Sequence, residues 1–190
     1  MRRIIAATVA TLVLVLTGCI PSLHPIYFPE DVTFDESILG SWEDGDTGEI
    51  WNFSNAGRSE YKLIHIDEEG RKGEFNARLV KISGHLFLDL EPADRGSVQT
   101  SFYQEHFQKT HSFVHVLQTQ PMLKFAVMEE RWLNDLVTQQ PSAIRHERVG
   151  GEILLTSSTR ETQKFLIDNL NTQGAYSEPM HLTRRKDSRR

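Results

Sequence analysis

The sequence predicts a mainly β domain of the α+β class, an antiparallel barrel or sandwich with two helices in its C-terminal third. Apolar and polar residues alternate in about seven short stretches between residues 38 and 128, separated by turn residues. This spacing is typical of strands joined by hairpins. Helical periodicity replaces the alternation only after residue 129.

The predicted strands of the first part share one pattern, in which apolar side chains occupy every second position. Trp51 and Phe53 fall on one face of their strand, and Leu86, Leu88 and Leu90 on one face of another. Turns rich in Gly, Asp and Glu separate the strands, as at 44–48 and 67–73. The predicted strands are residues 38–43, 49–54, 60–66, 75–79, 85–90, 111–117 and 122–128.

The first helix is predicted over residues 130–137, because its apolar residues at 132, 133, 136 and 137 have helical spacing. Pro141 lies where this helix must have ended. A tight turn and a further strand are predicted within residues 149–155.

The second helix is predicted from a capping box, in which Ser158 is the N-cap and Glu161 lies three residues later. We expect it to continue through Leu170 and to stop before Gly174. Residues 180–184 are predicted as the closing strand.

The first 18 residues have the features of a secretory signal peptide. A basic start, Arg2 and Arg3, is followed by fifteen uncharged residues at 4–18. That stretch is shorter than the roughly 20 residues that a helix needs to cross a bilayer core. We therefore predict a removable signal rather than a permanent transmembrane helix.

The end of this stretch, Leu16-Thr17-Gly18-Cys19, resembles the lipobox of bacterial lipoprotein precursors. The resemblance implies that Leu16, Thr17 and Gly18 are recognised by the signal peptidase, that cleavage precedes Cys19, and that Cys19 receives a diacylglycerol on its sulfur and an acyl group on its new amino terminus. Several acyl chains hold a protein on a membrane more firmly than one. Ile20, where a retained lipoprotein has Asp, favours the outer membrane, facing the periplasm. The alternative is an ordinary secreted protein.

Charge and composition divide the chain further. Residues 19–36 contain three prolines and are predicted as a lipidated tether, part of which lies on the domain. Residues 37–184 form the single β-rich domain, and 185–190 a basic tail. The net charge of −5 for the whole chain argues against a general nucleic-acid binder. Residues 19–183 have a net charge of −11, which predicts repulsion from anionic head groups.

No motif assigns a catalytic, cofactor-binding or metal-binding residue. The single cysteine excludes an intramolecular disulfide and a zinc ribbon. No nucleophile elbow or phosphate-binding loop is present in the sequence. His106, His111 and His115 form the best histidine group, but His111 and His115, four apart on a strand, would lie about 13 Å from each other, too far for one ion.

A second resemblance concerns Gly40-Ser41-Trp42, which is similar to the G-x-W of lipocalins. In that family the tryptophan closes one barrel end and an arginine of the last strand lies across it, which implies Arg184 or Arg185. The chain also resembles small bacterial lipoproteins of uncharacterised type with this motif. From the residues themselves we expect Trp42 and Trp51 to be core plugs, the alternative being that they stack on a ligand.

The sequence favours a lipid-anchored, non-catalytic envelope protein that binds a small apolar ligand or an envelope protein in the periplasm. The alternative is a membrane-tethered hydrolase acting on an envelope substrate, with residues drawn from Asp89, Glu91 and the histidines. An apolar cavity with a few polar groups would favour a ligand binder. A carboxylate or serine beside a histidine in a cleft would favour the enzyme, and an exposed apolar patch a protein partner.

Overall fold

The computed structural model describes residues 19–93 and 108–185, and its main feature is a closed eight-stranded antiparallel β-barrel. Two short 3-10 helices precede the barrel, and two α-helices lie in the C-terminal third. The 3-10 helices are Pro29–Asp31 and Glu36–Ile38; the other elements are β1 (Val32–Thr33), β2 (Gly40–Asp44), β3 (Ile50–Gly57), β4 (Glu60–Ile66), β5 (Lys72–Ile82), β6 (His85–Pro92), β7 (Ser112–Gln118), β8 (Leu123–Ala126), α1 (Glu130–Gln139), β9 (His146–Val149), β10 (Glu152–Leu155), α2 (Thr159–Asp168) and β11 (Met180–Arg184).

The pairing of β5 with β6 closes the barrel, in the order β5-β4-β3-β2-β11-β8-β7-β6. The predicted closing strand is confirmed: β11 lies between β2 and β8. The mainly β prediction is also confirmed. The sequence left a barrel and a sandwich as alternatives, and the structure is a barrel. β9 and β10 form a separate hairpin outside it.

Alternation along the strands produces two cores. Leu88 and Leu90 of β6 point into the barrel, whereas Phe87 and Asp89 lie on its outer face. The outer core fills the space between this face, the two α-helices and the β9–β10 hairpin. β6 is therefore buried on both sides, which explains its nearly continuous run of buried residues.

Three local features differ from the sequence prediction. α2 begins with the predicted capping box of Ser158 and Glu161 but ends at Asp168, two residues early. The Asn169 side chain there donates a hydrogen bond to the carbonyl of Phe165. β1 and β9 were not predicted, because β1 has two residues and β9 is polar and mostly exposed, without an apolar alternation.

Residues 19–31, which we call the N-terminal strap, run along the outer face of the barrel. Ile20 and Ile26 are buried in the outer core. Ser22 exchanges backbone hydrogen bonds with His111, at 2.7 and 2.8 Å. α2 holds the strap from the other side, because Gln163 donates a side-chain hydrogen bond to the Ile26 carbonyl. The strap is thus extended and attached to the domain from its second residue.

Trp42 plugs the barrel end at which β2 begins. Its indole N–H donates to the Ile38 carbonyl at 2.8 Å, and the side chain is fully buried. Arg184 lies over the indole ring, 4.3 Å from its centroid, and donates to the carbonyls of Ser37 and Leu39. The arginine across Trp42 is therefore Arg184 rather than Arg185.

Gly40 has a backbone reason to be glycine. Its φ is +120°, and a Cβ at this position would lie 2.5 Å from the Nη1 atom of Arg184. The close approach of the arginine to β2 therefore requires a residue without a side chain.

Candidate functional site

The opposite end of the barrel contains a cavity of about 420 Å³, within the range of about 300–1,000 Å³ found for small-molecule sites. It lies where β3, β5 and β7 begin and β4 and β6 end. Most of its wall is apolar, and the largest apolar contributors are Trp51, Leu63, Phe75, Leu90, Val114 and Met180.

Besides Cys19, Thr110, His111 and Ser112, three residues bring polar groups to this wall, namely Glu49, Trp51 and His65. The indole N–H of Trp51 and the Nε2 atom of His65 are buried and have no hydrogen-bond partner within residues 19–93 and 108–185. The Glu49 carboxylate lies 3.5 Å from His65 Nε2. Buried polar atoms without partners are uncommon in folded proteins. Trp51 thus brings to the cavity wall a buried donor that no described residue satisfies.

Trp51 therefore has a second role besides the core plug that the sequence predicts. It is only 7% exposed, yet it forms part of the cavity wall. Its neighbour across the strands is His65 of β4. A sequence signal for this site exists: Glu49, just before β3, and His65 of β4 continue the alternation of the inward residues Trp51 and Leu63, at positions where apolar residues are expected.

Cys19 lies at the mouth of this cavity. It is exposed and contributes to the lining, as do Pro21 and His111. The strap places it there, because the next residue, Ile20, is 4% exposed and belongs to the outer core. The residue predicted to be lipidated is thus held beside the cavity. Leu16, Thr17 and Gly18 lie outside the described residues.

Asp89 and His111 form a buried pair beneath the strap. The His111 Nδ1 atom lies 2.7 Å from Asp89 Oδ1, and the Ile26 backbone N–H donates to Oδ2 at 3.0 Å. Burial lowers the pKa of His111, but the hydrogen bond and negative charge of Asp89 outweigh it, so that the pKa is raised overall. The pair therefore joins the strap, β6 and the start of β7.

His115 is in a different environment from His111. It stacks on Phe87 at 4.9 Å and lies 5.7 Å from the Tyr176 ring. Burial, with a smaller contribution from His85, lowers its pKa to about 4. His106 lies outside the described residues. Within residues 19–93 and 108–185, no group of three potential metal ligands occurs.

We expect His115 to make the protein less stable in mild acid. Between its ordinary pKa of 6.5 and its folded value of about 4, the unfolded chain binds a proton that the folded chain does not. Stability therefore falls as the pH falls through this window. His115→Phe should flatten urea-derived unfolding free energies between these pH values.

His111 provides the internal control for this pH dependence, because its effect has the opposite sign. Because folding raises the pKa of His111, its contribution to stability is complete at pH values below the pKa of the unfolded chain. That contribution is lost as the pH rises through the pKa of the folded chain. His111→Phe should therefore weaken the protein most at acidic pH. A profile that is identical for both variants would contradict these assignments.

Asp89 and Glu91 make separate contacts. Asp89 is 1% exposed and uses both oxygens beneath the strap, whereas Glu91 lies 4.0 Å from Lys109. Among the described residues, the only side chain hydrogen-bonded to the His111 imidazole is Asp89. The arrangement thus contains a carboxylate–histidine pair but no described nucleophile attached to it.

None of the described helices is long and apolar enough to cross a membrane. Comparison with family models, with curated proteins and with solved structures found no match to this chain.

Proposed function

We propose that this protein is a lipid-anchored, non-catalytic component of the bacterial envelope, attached to the outer membrane on its periplasmic side, whose barrel binds a small amphiphilic ligand. The single observation that supports this best is the shared position of two features: Cys19 lies in the lining of the apolar cavity. The lipid anchor would then be attached at the edge of the binding site itself.

The wall of the cavity indicates the class of ligand. An acyl chain or similar apolar body suits the lining of Leu63, Leu90 and Val114. A head group with an uncharged acceptor, such as an ester or amide carbonyl, suits the unpartnered N–H of Trp51. Glu49 disfavours an anionic head group, because like charges repel in a site of low dielectric.

A protein partner is less well supported. In the part of the chain that the structure describes, the exposed large apolar residues are Leu117 of β7 and Val149 of β9. Single exposed apolar residues of this kind are ordinary on protein surfaces. The cavity is therefore the better candidate for the binding site.

The anchor requires a covalent change at Cys19. Its sulfur loses a proton and forms a C–S bond to the diacylglyceryl group of a phospholipid donor, whose C–O bond to the phosphate head breaks. Water then cleaves the Gly18–Cys19 peptide bond. The new amine attacks an ester carbonyl of a second phospholipid, loses a proton and takes the acyl group, and the lysophospholipid leaves as the alcohol.

We expect Cys19→Ser to leave an uncut precursor without acyl label, because a hydroxyl does not replace the thiolate nucleophile in this step. The measurement is mass spectrometry of the amino terminus after growth with a labelled fatty acid. Ile20→Val, a conservative change at the adjacent residue, is the control and should be processed normally. Normal cleavage and labelling of Cys19→Ser would disprove the anchor.

We also expect the barrel of a chain expressed without residues 1–18, whose Cys19 carries no acyl group, to bind a neutral apolar fluorescent probe, N-phenyl-1-naphthylamine, with one site per chain. Val114→Phe places extra volume in the cavity wall, and overpacking of about 1–3 kcal/mol should weaken binding by about tenfold. Leu117→Phe, on the exposed side of the same strand, should bind as the wild type does. Equal affinities for both variants would place the ligand elsewhere.

The Asp89–His111 pair favours a second candidate function, the membrane-tethered hydrolase. His111 borders the cavity, and a histidine oriented by a buried carboxylate is a general-base arrangement. Cys19 lies at the same mouth, but an acylated sulfur cannot act as a nucleophile. The test measures ester hydrolysis by a chain whose Cys19 is a free thiol. Activity that is present in this chain and lost in its His111→Gln variant would favour the hydrolase over the binder.

A further inference from the structure

The position of Cys19 limits where its lipid can lie. Ile20 is buried in the outer core, and Ser22 is bound to His111 by two backbone hydrogen bonds. Leu155 adds a third fixed point, through hydrogen bonds with Pro21 and Leu23. A chain attached to the Cys19 sulfur therefore starts at the cavity mouth, with no flexible linker in the described structure to carry it away.

From this geometry we infer that one acyl chain of the Cys19 lipid lies inside the barrel cavity, while its other chains insert into the membrane. The inference rests on the proposed lipidation and names the occupant of the proposed site. It also implies an orientation: the end of the barrel with the cavity faces the bilayer, and the end closed by Trp42 points away.

The chemistry of the cavity fits this occupant. The apolar wall takes the hydrocarbon, and the buried N–H of Trp51, which has no partner among the described residues, can donate to a carbonyl oxygen of the lipid. A lipid carries such carbonyls in the ester and amide groups nearest the sulfur. This unpartnered donor is an observation independent of the cysteine itself.

Covalent attachment favours this chain over free amphiphiles. A ligand tethered at the mouth has an effective concentration on the order of millimolar. A membrane lipid must instead leave the bilayer to enter. The β2–β3 turn at this end is acidic, since it contains Asp44 and Asp46 and no basic residue, and its charge further disfavours anionic lipids.

The test uses cells that make the full chain and are grown with a diazirine-bearing palmitic acid, which enters the anchor. After irradiation of intact membranes and proteolysis, we expect cross-links that join the Cys19 peptide to the peptides containing Trp51, Leu63 or Val114. The acyl mass on Cys19 is measured in the same sample.

Each result has a distinct meaning. Acylated Cys19 with cross-links only to lipids or to residues outside the cavity overturns the inference and leaves the anchor intact. Cavity peptides joined to a whole phospholipid, rather than to the Cys19 peptide, identify a membrane lipid as the occupant and also overturn it. A Cys19 without acyl groups disproves the proposed function as well.

A matched pair of variants checks that the cross-links report the cavity. Val114→Phe should abolish the cross-links to the cavity peptides while the acylation of Cys19 is unchanged. Leu117→Phe, on the outside of the same strand, should retain them. If Val114→Phe does not fold, the wild-type cross-links alone still support or overturn the inference.

Discussion

Replacing Asp89 with alanine is expected to lower the free energy of unfolding by about 3–5 kcal/mol, the range found when one partner of a buried ion pair is removed. The carboxylate holds His111 with one oxygen and the Ile26 backbone N–H with the other. Its loss leaves the Ile26 N–H buried without this acceptor and removes the partner of the partly buried His111 ring. Urea denaturation measures the change in stability.

The same variant should release the N-terminal strap. Limited proteolysis is expected to cut Asp89→Ala between residues 20 and 31, where the wild type is protected by its contacts with the barrel and α2. Because Cys19 depends on the strap for its position, the variant should also weaken probe binding in the cavity. The effect on the site would then be indirect.

Glu91→Ala is the matched control, two residues along the same strand. Its carboxylate is partly exposed, and its distance of 4.0 Å from Lys109 Nζ makes this a weak ion pair. The loss of unfolding free energy should therefore stay below about 1 kcal/mol. Asp89→Asn should fall between the two, since an amide oxygen can still accept from Ile26 but lacks the charge. Equal stability for Asp89→Ala and Glu91→Ala would show that the pair does not hold the strap.

The second large effect is expected at the closed end. Trp42→Ala should cost about 3–5 kcal/mol, because it removes a fully buried aromatic side chain and leaves a cavity. The hydrogen bond from its indole N–H to the Ile38 carbonyl is lost as well. Thermal and urea denaturation should agree on the loss, with the far-ultraviolet circular dichroism of the folded state unchanged.

The interaction between Arg184 and Trp42 at this closed end can be measured separately. Its guanidinium lies over Trp42, so a double-mutant cycle with Trp42→Ala and Arg184→Ala should give a coupling of about 0.5–1 kcal/mol. Arg185 is the adjacent control, since it pairs with Glu43 at 3.1 Å instead. A coupling of Arg185 to Trp42 as large as that of Arg184 would contradict the observed geometry.

The position of the N-terminal strap differs from what the net charge alone predicts about the distance between domain and membrane. A net charge of −11 over residues 19–183 predicts a domain that stands away from anionic head groups. The structure attaches the chain to the barrel from Ile20 onward. If Cys19 is lipidated, the barrel therefore lies close to the membrane. Its negative charge then disfavours contact with anionic lipids.

The sequence by itself determined the strand-forming segments, both helices and the capping box, because these depend on the spacing of apolar residues and on local hydrogen bonds. Its errors were at short or polar elements, such as β1 and β9, where no periodicity exists to read. The signal peptide and the lipidation of Cys19 stay predictions from the sequence.

Only the tertiary structure decided that the strands close into a barrel rather than a sandwich. Closure depends on the pairing of β5 with β6 and of β11 with both β2 and β8, and alternation within a strand does not specify its neighbours. The same reason applies to the site. Asp89 meets His111 and Ile26, and Cys19 reaches the cavity, through contacts between segments far apart in the chain.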